Sequence, residues 1–341
     1  MAAWRLAGQA VSNIKLGGLA RRPVSNAAVD EDAAKESGAG RVHVVTMDTS
    51  EVLYLPGGEG DLQKRCEARD ALSAGSPSGL VFDATQALFV ADFAKRAIIS
   101  QRPAPPGMDN EQFEEFDILV GDYEGKPFCG PNSLAFDGDG NLFFTDSGPM
   151  GETSLVSPKG SVFCVEVADQ LLKPLALECL AHPSGVAVSP DGKIVYVAET
   201  MNNRILRFVK QKHGVFLSSV FHQFSGGFGP TALSYVNDPQ AKMSYLLVAR
   251  FDFGSPPEAG EEAQGPQGGI AVLKQTGELL REFAGPAELG PEITGLLVAP
   301  NPEADVKQET EDLAEMSVYV SSAGSNKIFC APLQEMLTDE A

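Results

Sequence analysis

A pattern that recurs five times constrains this chain more than any other feature. Each copy is a polar residue, a short apolar strand, a turn, and a second apolar strand ending in a polar residue. The copies begin at Ser78 (SGLVFDATQALFVAD), Asn132 (NSLAFDGDGNLFFTD), Ser184 (SGVAVSPDGKIVYVAE), Thr231 (TALSYVNDPQAKMSYLLVAR) and Thr294 (TGLLVAPN, resuming at MSVYVSS). Their starts lie 54, 52, 47 and 63 residues apart. Pro77, Pro131, Pro183 and Pro230 each stand immediately before the polar residue, and Pro291 stands a little further back in the fifth copy. A period of this size, with several strands per unit and Asp-Gly turns between them, is the signature of a β-propeller. Equivalent residues of successive blades converge on the axis of such a fold. Ser78, Asn132, Ser184, Thr231 and Thr294 are therefore the candidate axial-pocket residues.

A third run follows each repeated pair: AIIS, SVFCVEV, RILRFV, GIAVL and KIFCAPL. A fourth follows in the first four copies: FDILVG, LLKPLAL, FLSSVF and LLREFA. Each blade thus reads as four strands from axis to rim. The fifth copy shows no fourth run before Ala341; N-terminal strands such as VHVVTM and EVLYLP either supply it or belong to a sixth blade that closes the ring. Residues 57–76 give no strand signal. The expectation is an all-β, six-bladed propeller over residues 41–335 as a single domain, with 336–341 as an acidic tail.

Composition fits and excludes. Hydrophobic content of 43% suffices for burial, and 35 Gly with 23 Pro suits a chain of tight turns. A net charge of −20 excludes nucleic acid as a partner, because phosphates need Lys and Arg. No run approaches the ~20 apolar residues that a transmembrane helix requires. The cysteines (Cys66, Cys129, Cys164, Cys179, Cys330) are odd in number and form no CxxC. They read as small buried hydrophobes in a reducing compartment, with Cys164 and Cys330 inside apolar strand patterns.

The N-terminus differs from the rest. Residues 1–29 carry Arg5, Lys15, Arg21 and Arg22 and no acid, with Ala, Leu and Ser abundant and no continuous apolar run. That composition suits a mitochondrial transit peptide over residues 1–34, or a disordered basic segment that binds an acidic partner. Plastid and cytoplasmic placements are the alternatives.

Two segments resemble a known family. GPNSLAFDGDGNLFFTDSG, from Gly130 to Gly148, resembles a blade of the senescence-marker-protein/gluconolactonase family. HPSGVAVSPDGKIVYVAETMNNRILRF, from His182 to Phe208, resembles the blade that follows it, and its VAET…NRILRF end is similar to the strictosidine-synthase-like branch. The resemblance implies a six-bladed propeller. In the lactonase and esterase members it implies an axial calcium held by a Glu, two Asn and an Asp, each immediately before the innermost strand of its blade. On this chain the Glu position falls on Ser78, the first Asn on Asn132, the second Asn on Ser184 and the Asp on Thr231, with Thr294 at the equivalent place in the fifth copy. Asn132 alone matches a metal ligand, and no position in the ring carries a charge. Calcium takes six to eight oxygens, normally with carboxylates among them, so no cofactor is expected. The same substitutions remove a carboxylate base or nucleophile. Ser, Thr and Asn at strand starts also satisfy backbone groups. The functional alternative is a hydrogen-bonding pocket for a small neutral or anionic ligand.

Charged residues cluster at the ends of the second strands: Asp92, Asp146, Glu199 and Arg250. The three acids recur at matched positions and read as turn caps. Arg250 breaks the series and either pairs with a neighbouring carboxylate or faces an anionic ligand. His182, beside Pro183, is the one histidine that the repeat places near the axis, and it reads as a turn residue. No GxSxG, HExxH, P-loop or GxGxxG is present. The loops after Asp146 and Asp252 border the axial mouth, whereas the acidic insertion after Pro300 lies on the opposite face. These features favour a binding or scaffold subunit in a mitochondrial complex. The alternative is a lactonase- or esterase-type hydrolase, or a strictosidine-synthase-like enzyme, with a rearranged axial site.

Overall fold

The computed structural model describes residues 5–9, 16–21, 42–55, 60–61, 63–67, 75–102, 115–149, 151–226, 228–251, 268–300, 312–325 and 327–338. Six sheets stand in a ring, as the repeat predicts, antiparallel except where the two-residue strand Gly60–Asp61 lies parallel to Arg5–Gln9. Numbered along the chain and written from axis to rim, blade one is Leu16–Arg21, Val42–Thr46, Glu51–Tyr54 and Gln63–Glu67. Blade two is Pro77–Phe82, Leu88–Asp92, Ala97–Gln101 and Phe116–Val120. Blade three is Pro131–Phe136, Leu142–Asp146, Gly160–Glu166 and Leu171–Leu180, and blade four is Pro183–Val188, Ile194–Glu199, Arg204–Lys210 and Phe216–Gln223. Blade five is Phe228–Asp238, Met243–Phe251, Gly269–Lys274 and Leu279–Ala284. Blade six is Ile293–Pro300, Met316–Ser322 and Lys327–Pro332, completed by the N-terminal strand Arg5–Gln9.

The ring therefore closes through the N-terminus, which corrects the boundary at residue 41 and the reading of residues 57–76. At the other end the helix Leu333–Leu337 buries Met336 in the core, so the acidic tail does not begin at residue 336. The propeller does not begin at residue 41, because Arg5–Gln9 pairs antiparallel with Lys327–Pro332 and Leu16–Arg21 pairs with Val42–Thr46. Ala7, Leu19 and Ala20 are buried there. Nor is 57–76 free of strands, since Gln63–Glu67 forms the rim of blade one. Its sequence, QKRCE, has no apolar alternation, and a rim strand needs none. The remainder of the proposed 1–34 segment, residues 339–341, most of the loop after Asp252 and the acidic 301–311 insertion lie outside the described residues.

Each blade buries both faces against its neighbours, which is why the middle strands read as continuous apolar runs. Phe143, Val162 and Cys164 of blade three pack on Val186, Val188 and Val197 of blade four. Ala187 and Tyr196 on the other face of blade four pack on Leu233, Leu246 and Val248 of blade five. Ala7, Leu19 and Val44 meet Tyr319, Ile328 and Cys330 across the closure. Toward the axis the inner strands crowd. A Cβ on Gly79 would lie 2.5 Å from the Asn132 carbonyl oxygen, one on Gly185 2.8 Å from that of Thr231, and one on Gly18 3.0 Å from the Gly79 Cα. The residue after each ring position is small for this reason: Gly18, Gly79, Ser133, Gly185, Ala232 and Gly295.

Candidate functional site

The register of the first two strands in each blade identifies the ring. Pro77 pairs with Asp92, Pro131 with Asp146, Pro183 with Glu199, Pro230 with Arg250 and Ile293 with Ser322, each followed by a register shift. Leu16 pairs with Thr46 in the same way. The ring positions are the next residues along: Ser78, Asn132, Ser184, Thr231 and Thr294, joined by Gly17 from blade one. Sequence reasoning missed Gly17. The signal was present, because GGLA at residues 17–20 has the form of SGLV, SGVA and TGLL, but it sits among basic residues that read as a targeting segment.

Ring hydroxyls are engaged in holding blades together. Ser78 Oγ donates to the carbonyls of Pro131 (2.9 Å) and Asn132 (3.0 Å) in the next blade. Thr231 Oγ1 donates to the Ile293 carbonyl at 2.6 Å. Ser184 Oγ lies 2.7 Å from Thr200 Oγ1, and the Thr200 hydroxyl donates to the Pro230 carbonyl at 2.8 Å. In blade three Thr145 takes this role, donating to the Ser184 carbonyl at 2.6 Å. Asn132, which has no hydroxyl, donates from Nδ2 to Ser147 Oγ at 3.1 Å. Buried carbonyls need partners, and a short hydroxyl side chain at the axis reaches the neighbouring blade without filling the channel.

The second-strand acids cap turns, as their repetition suggests. Asp92 accepts from the backbone N–H of Ser76 and Lys95. Asp146 accepts from those of Cys129 and Gly130, and burial raises its carboxyl above the usual carboxylate range, an effect these two N–H groups offset in part. Glu199 accepts from Ala181 N and Asn202 Nδ2 and pairs with Arg204 at 2.6 Å. Thr46 and Ser322 serve the same place in blades one and six, accepting from Glu51 N and Gly324 N. Arg250 takes the first of its two alternatives: it pairs with Glu282 and lies 4.4 Å over the Phe224 ring.

His182 holds the left-handed turn (φ 56) that the sequence suggests. Burial lowers its pKa to about 4, with the Gly148 backbone as its hydrogen-bond partner, and its Nδ1 is buried without one. Of the thiols, Cys164 and Cys330 are buried as expected, whereas Cys129 is half-buried and Cys179 exposed; all four are free. Burial pushes Cys164 up to about 12. Of the loop that follows Asp146, Leu155 and Val156 are exposed, while Thr153 is buried and accepts from Lys159 N at 3.1 Å. Among the described residues no three His, Cys, Asp or Glu side chains are grouped to hold a metal ion, and no helix is long and apolar enough to cross a membrane.

Known proteins agree with this architecture. The chain is 28% identical over 149 residues to the lactonase drp35 of Staphylococcus haemolyticus, a stretch that is 42% of each chain. It is 29% identical over 128 residues to a gluconolactonase of Zymomonas mobilis, covering 33% of this chain and 30% of that one. These matches span less than half the length of the relatives. A solved gluconolactonase from Xanthomonas campestris superposes with a TM-score of 0.63 at 19% identity, covering 94% of this chain and 86% of its own. A calcium-binding regucalcin from Agrobacterium tumefaciens gives 0.59 at 14%, covering 96% and 95%. Both show the fold. A family model described as SMP-30/Gluconolactonase/LRE-like region matches residues 38–230, more than half of the chain, which therefore belongs to that family.

Proposed function

We propose that this propeller is a binding or scaffold subunit that works without the axial calcium of its family. The observation that carries this is the ring itself. Its six positions, Gly17, Ser78, Asn132, Ser184, Thr231 and Thr294, contain no carboxylate. Three of the hydroxyls donate to protein groups, and the nearby acids Asp92, Asp146 and Glu199 are turned to backbone N–H groups. One amide and several neutral dipoles do not fit an ion that needs charge to offset its dehydration. The lone pairs left on the ring hydroxyls and the second N–H of the Asn132 amide can instead hydrogen-bond a small neutral molecule, and the outer faces remain for protein contact.

A second reading, a lactonase- or esterase-type hydrolase, is favoured by the names of the relatives. It needs a base or nucleophile that the ring positions lack. Assay of the purified chain on sugar lactones separates the two: we expect no hydrolysis above background with or without added calcium. Calcium-dependent turnover that Asn132→Ala abolishes would establish the hydrolase.

The proposed location is the mitochondrion, on the strength of the acid-free basic segment at the N-terminus. Because Arg5–Gln9 and Leu16–Arg21 are also strands of the ring, we propose that this segment is retained rather than removed. N-terminal sequencing of protein from isolated mitochondria tests both points: a chain beginning after Arg21, or recovery from the cytosol, contradicts them.

A further inference from the structure

The rim of blade four differs from every other rim. Rim strands expose unpaired backbone groups, and proteins guard such edges with charge or proline. Phe116–Val120 carries Asp117, ion-paired to Arg102; Leu171–Leu180 carries Lys173, Pro174 and Glu178; Leu279–Ala284 carries Arg281 and Glu282. Gln63–Glu67 carries charges as well, and in blade six Gly60–Asp61 covers the outer edge of Arg5–Gln9. Phe216–Gln223, FLSSVFHQ, has no Asp, Glu, Lys, Arg or Pro over eight residues, and no strand pairs with its outer edge among the described residues. A turn of blade five abuts its end, with the Gly277 carbonyl 2.8 Å from His222 Nδ1 and no room for a Cβ on Gly277 beside the Phe221 carbonyl, so the open stretch is residues 216–220. Val215, Leu217 and Val220 stand 57%, 59% and 52% exposed beside it.

The charge around this edge is inverted relative to the whole molecule. From Thr200 to Asn237 there is no acidic residue, in a chain with 46 acids against 26 bases. The same span holds Arg204, Arg207, Lys210 and Lys212. Arg204 pairs with Glu199. Arg207 and Lys210 lie over the rings of Phe221 and Phe216 at 5.6 and 5.9 Å, and Lys212 is exposed. None of these last three has a carboxylate partner among the described residues.

We propose that the rim of blade four is a docking edge for an extended, acidic polypeptide segment of a partner protein, which adds as a fifth strand along residues 216–220. Main-chain hydrogen bonds to the free edge supply affinity, as in strand addition generally. Leu217 and Val220, three residues apart and so on opposite faces of the strand, each meet an apolar side chain on that face of the incoming strand, and Arg207, Lys210 and Lys212 meet its carboxylates. Electrostatic complementarity of this kind sets partner choice and on-rate. The edge lies at the opposite end of the blade from the axis, so it stands or falls independently of the calcium-free ring.

Backbone hydrogen exchange of the full chain tests this. The probe is an acetylated, amidated peptide of eight residues alternating Glu and Val, with the same peptide carrying Lys for Glu as control. We expect the Glu peptide to protect the outward amides of residues 216–220, those not already bonded to Arg204–Lys210, and no other rim, saturably, and less as salt rises. The double variant Lys212→Glu/Ser218→Glu, at two exposed positions, is expected to weaken this about tenfold without changing the melting temperature. Equal protection by both peptides, or none, overturns the proposal. So does protection, in the peptide-free chain, of those amides of residues 216–220 that are not bonded to Arg204–Lys210, which would place a second copy or an acidic segment of the same chain on the edge. Protection by phosphatidylserine vesicles but not by the Glu peptide overturns it in favour of a membrane surface.

Discussion

Ser78 and Ser184 occupy equivalent ring positions but are not equally replaceable. The Ser78 hydroxyl meets two carbonyls of the next blade by itself, whereas Thr200 still serves the Pro230 carbonyl if Ser184 is lost. Ser78→Ala should therefore cost about 1–2 kcal/mol and Ser184→Ala clearly less, a difference that urea denaturation resolves. His182 makes a prediction in pH. Its folded pKa is near 4, below the ordinary 6.5, so the unfolded chain binds a proton first as pH falls. The native state thus loses stability from this residue between about pH 6.5 and 4, by up to about 3 kcal/mol. Asp146, whose carboxyl is raised, acts in the opposite sense: its contribution is present in acid and is lost as pH rises. His182→Asn, which tolerates the left-handed turn, should leave a chain less sensitive to acid than the wild type over that window. Parallel denaturation curves at pH 7 and 4.5 that differ by the same amount in both proteins would contradict this.

At the scale of the strand, Arg5–Gln9 and Leu16–Arg21 complete blades six and one. Deleting residues 1–22 uncovers the edge at Lys327–Pro332, exposes the core around Tyr319 and Ile328, and removes the inner strand that Gly18 packs against Gly79. We expect a fall in melting temperature of ten degrees or more, or aggregation; by scanning calorimetry, unchanged unfolding would show that the ring closes without them. These strands also mark how far the fold was legible. Five blades were visible because an apolar pair bounded by Pro and a polar residue survives in each. Blade one was legible only in its middle strands, VHVVTM and EVLYLP, because its inner strand holds two glycines among basic residues and its rim strand, QKRCE, has no apolar alternation. The ring positions were legible from the repeat. The engagement of Thr145 and Thr200 was not, because only the folded backbone places those hydroxyls, one within a second strand and one just past its end, against the next blade.

Over the whole molecule, the chain keeps the six-bladed frame of the SMP-30/gluconolactonase/LRE-like family while its axis presents hydroxyls, one amide and glycine. Burying one unpaired carboxylate at such an axis would be costly, and the acids present are instead tied into the turns that shape each blade. The central claim, that the axis works without calcium, is tested most directly by thermal unfolding of the full chain in millimolar calcium and in chelator. A ligand at 100 times its dissociation constant adds about 2.7 kcal/mol to the stability of the folded state, a shift that such a scan detects. Coincident melting curves are expected. A melting temperature that rises with calcium and falls with chelator would contradict it.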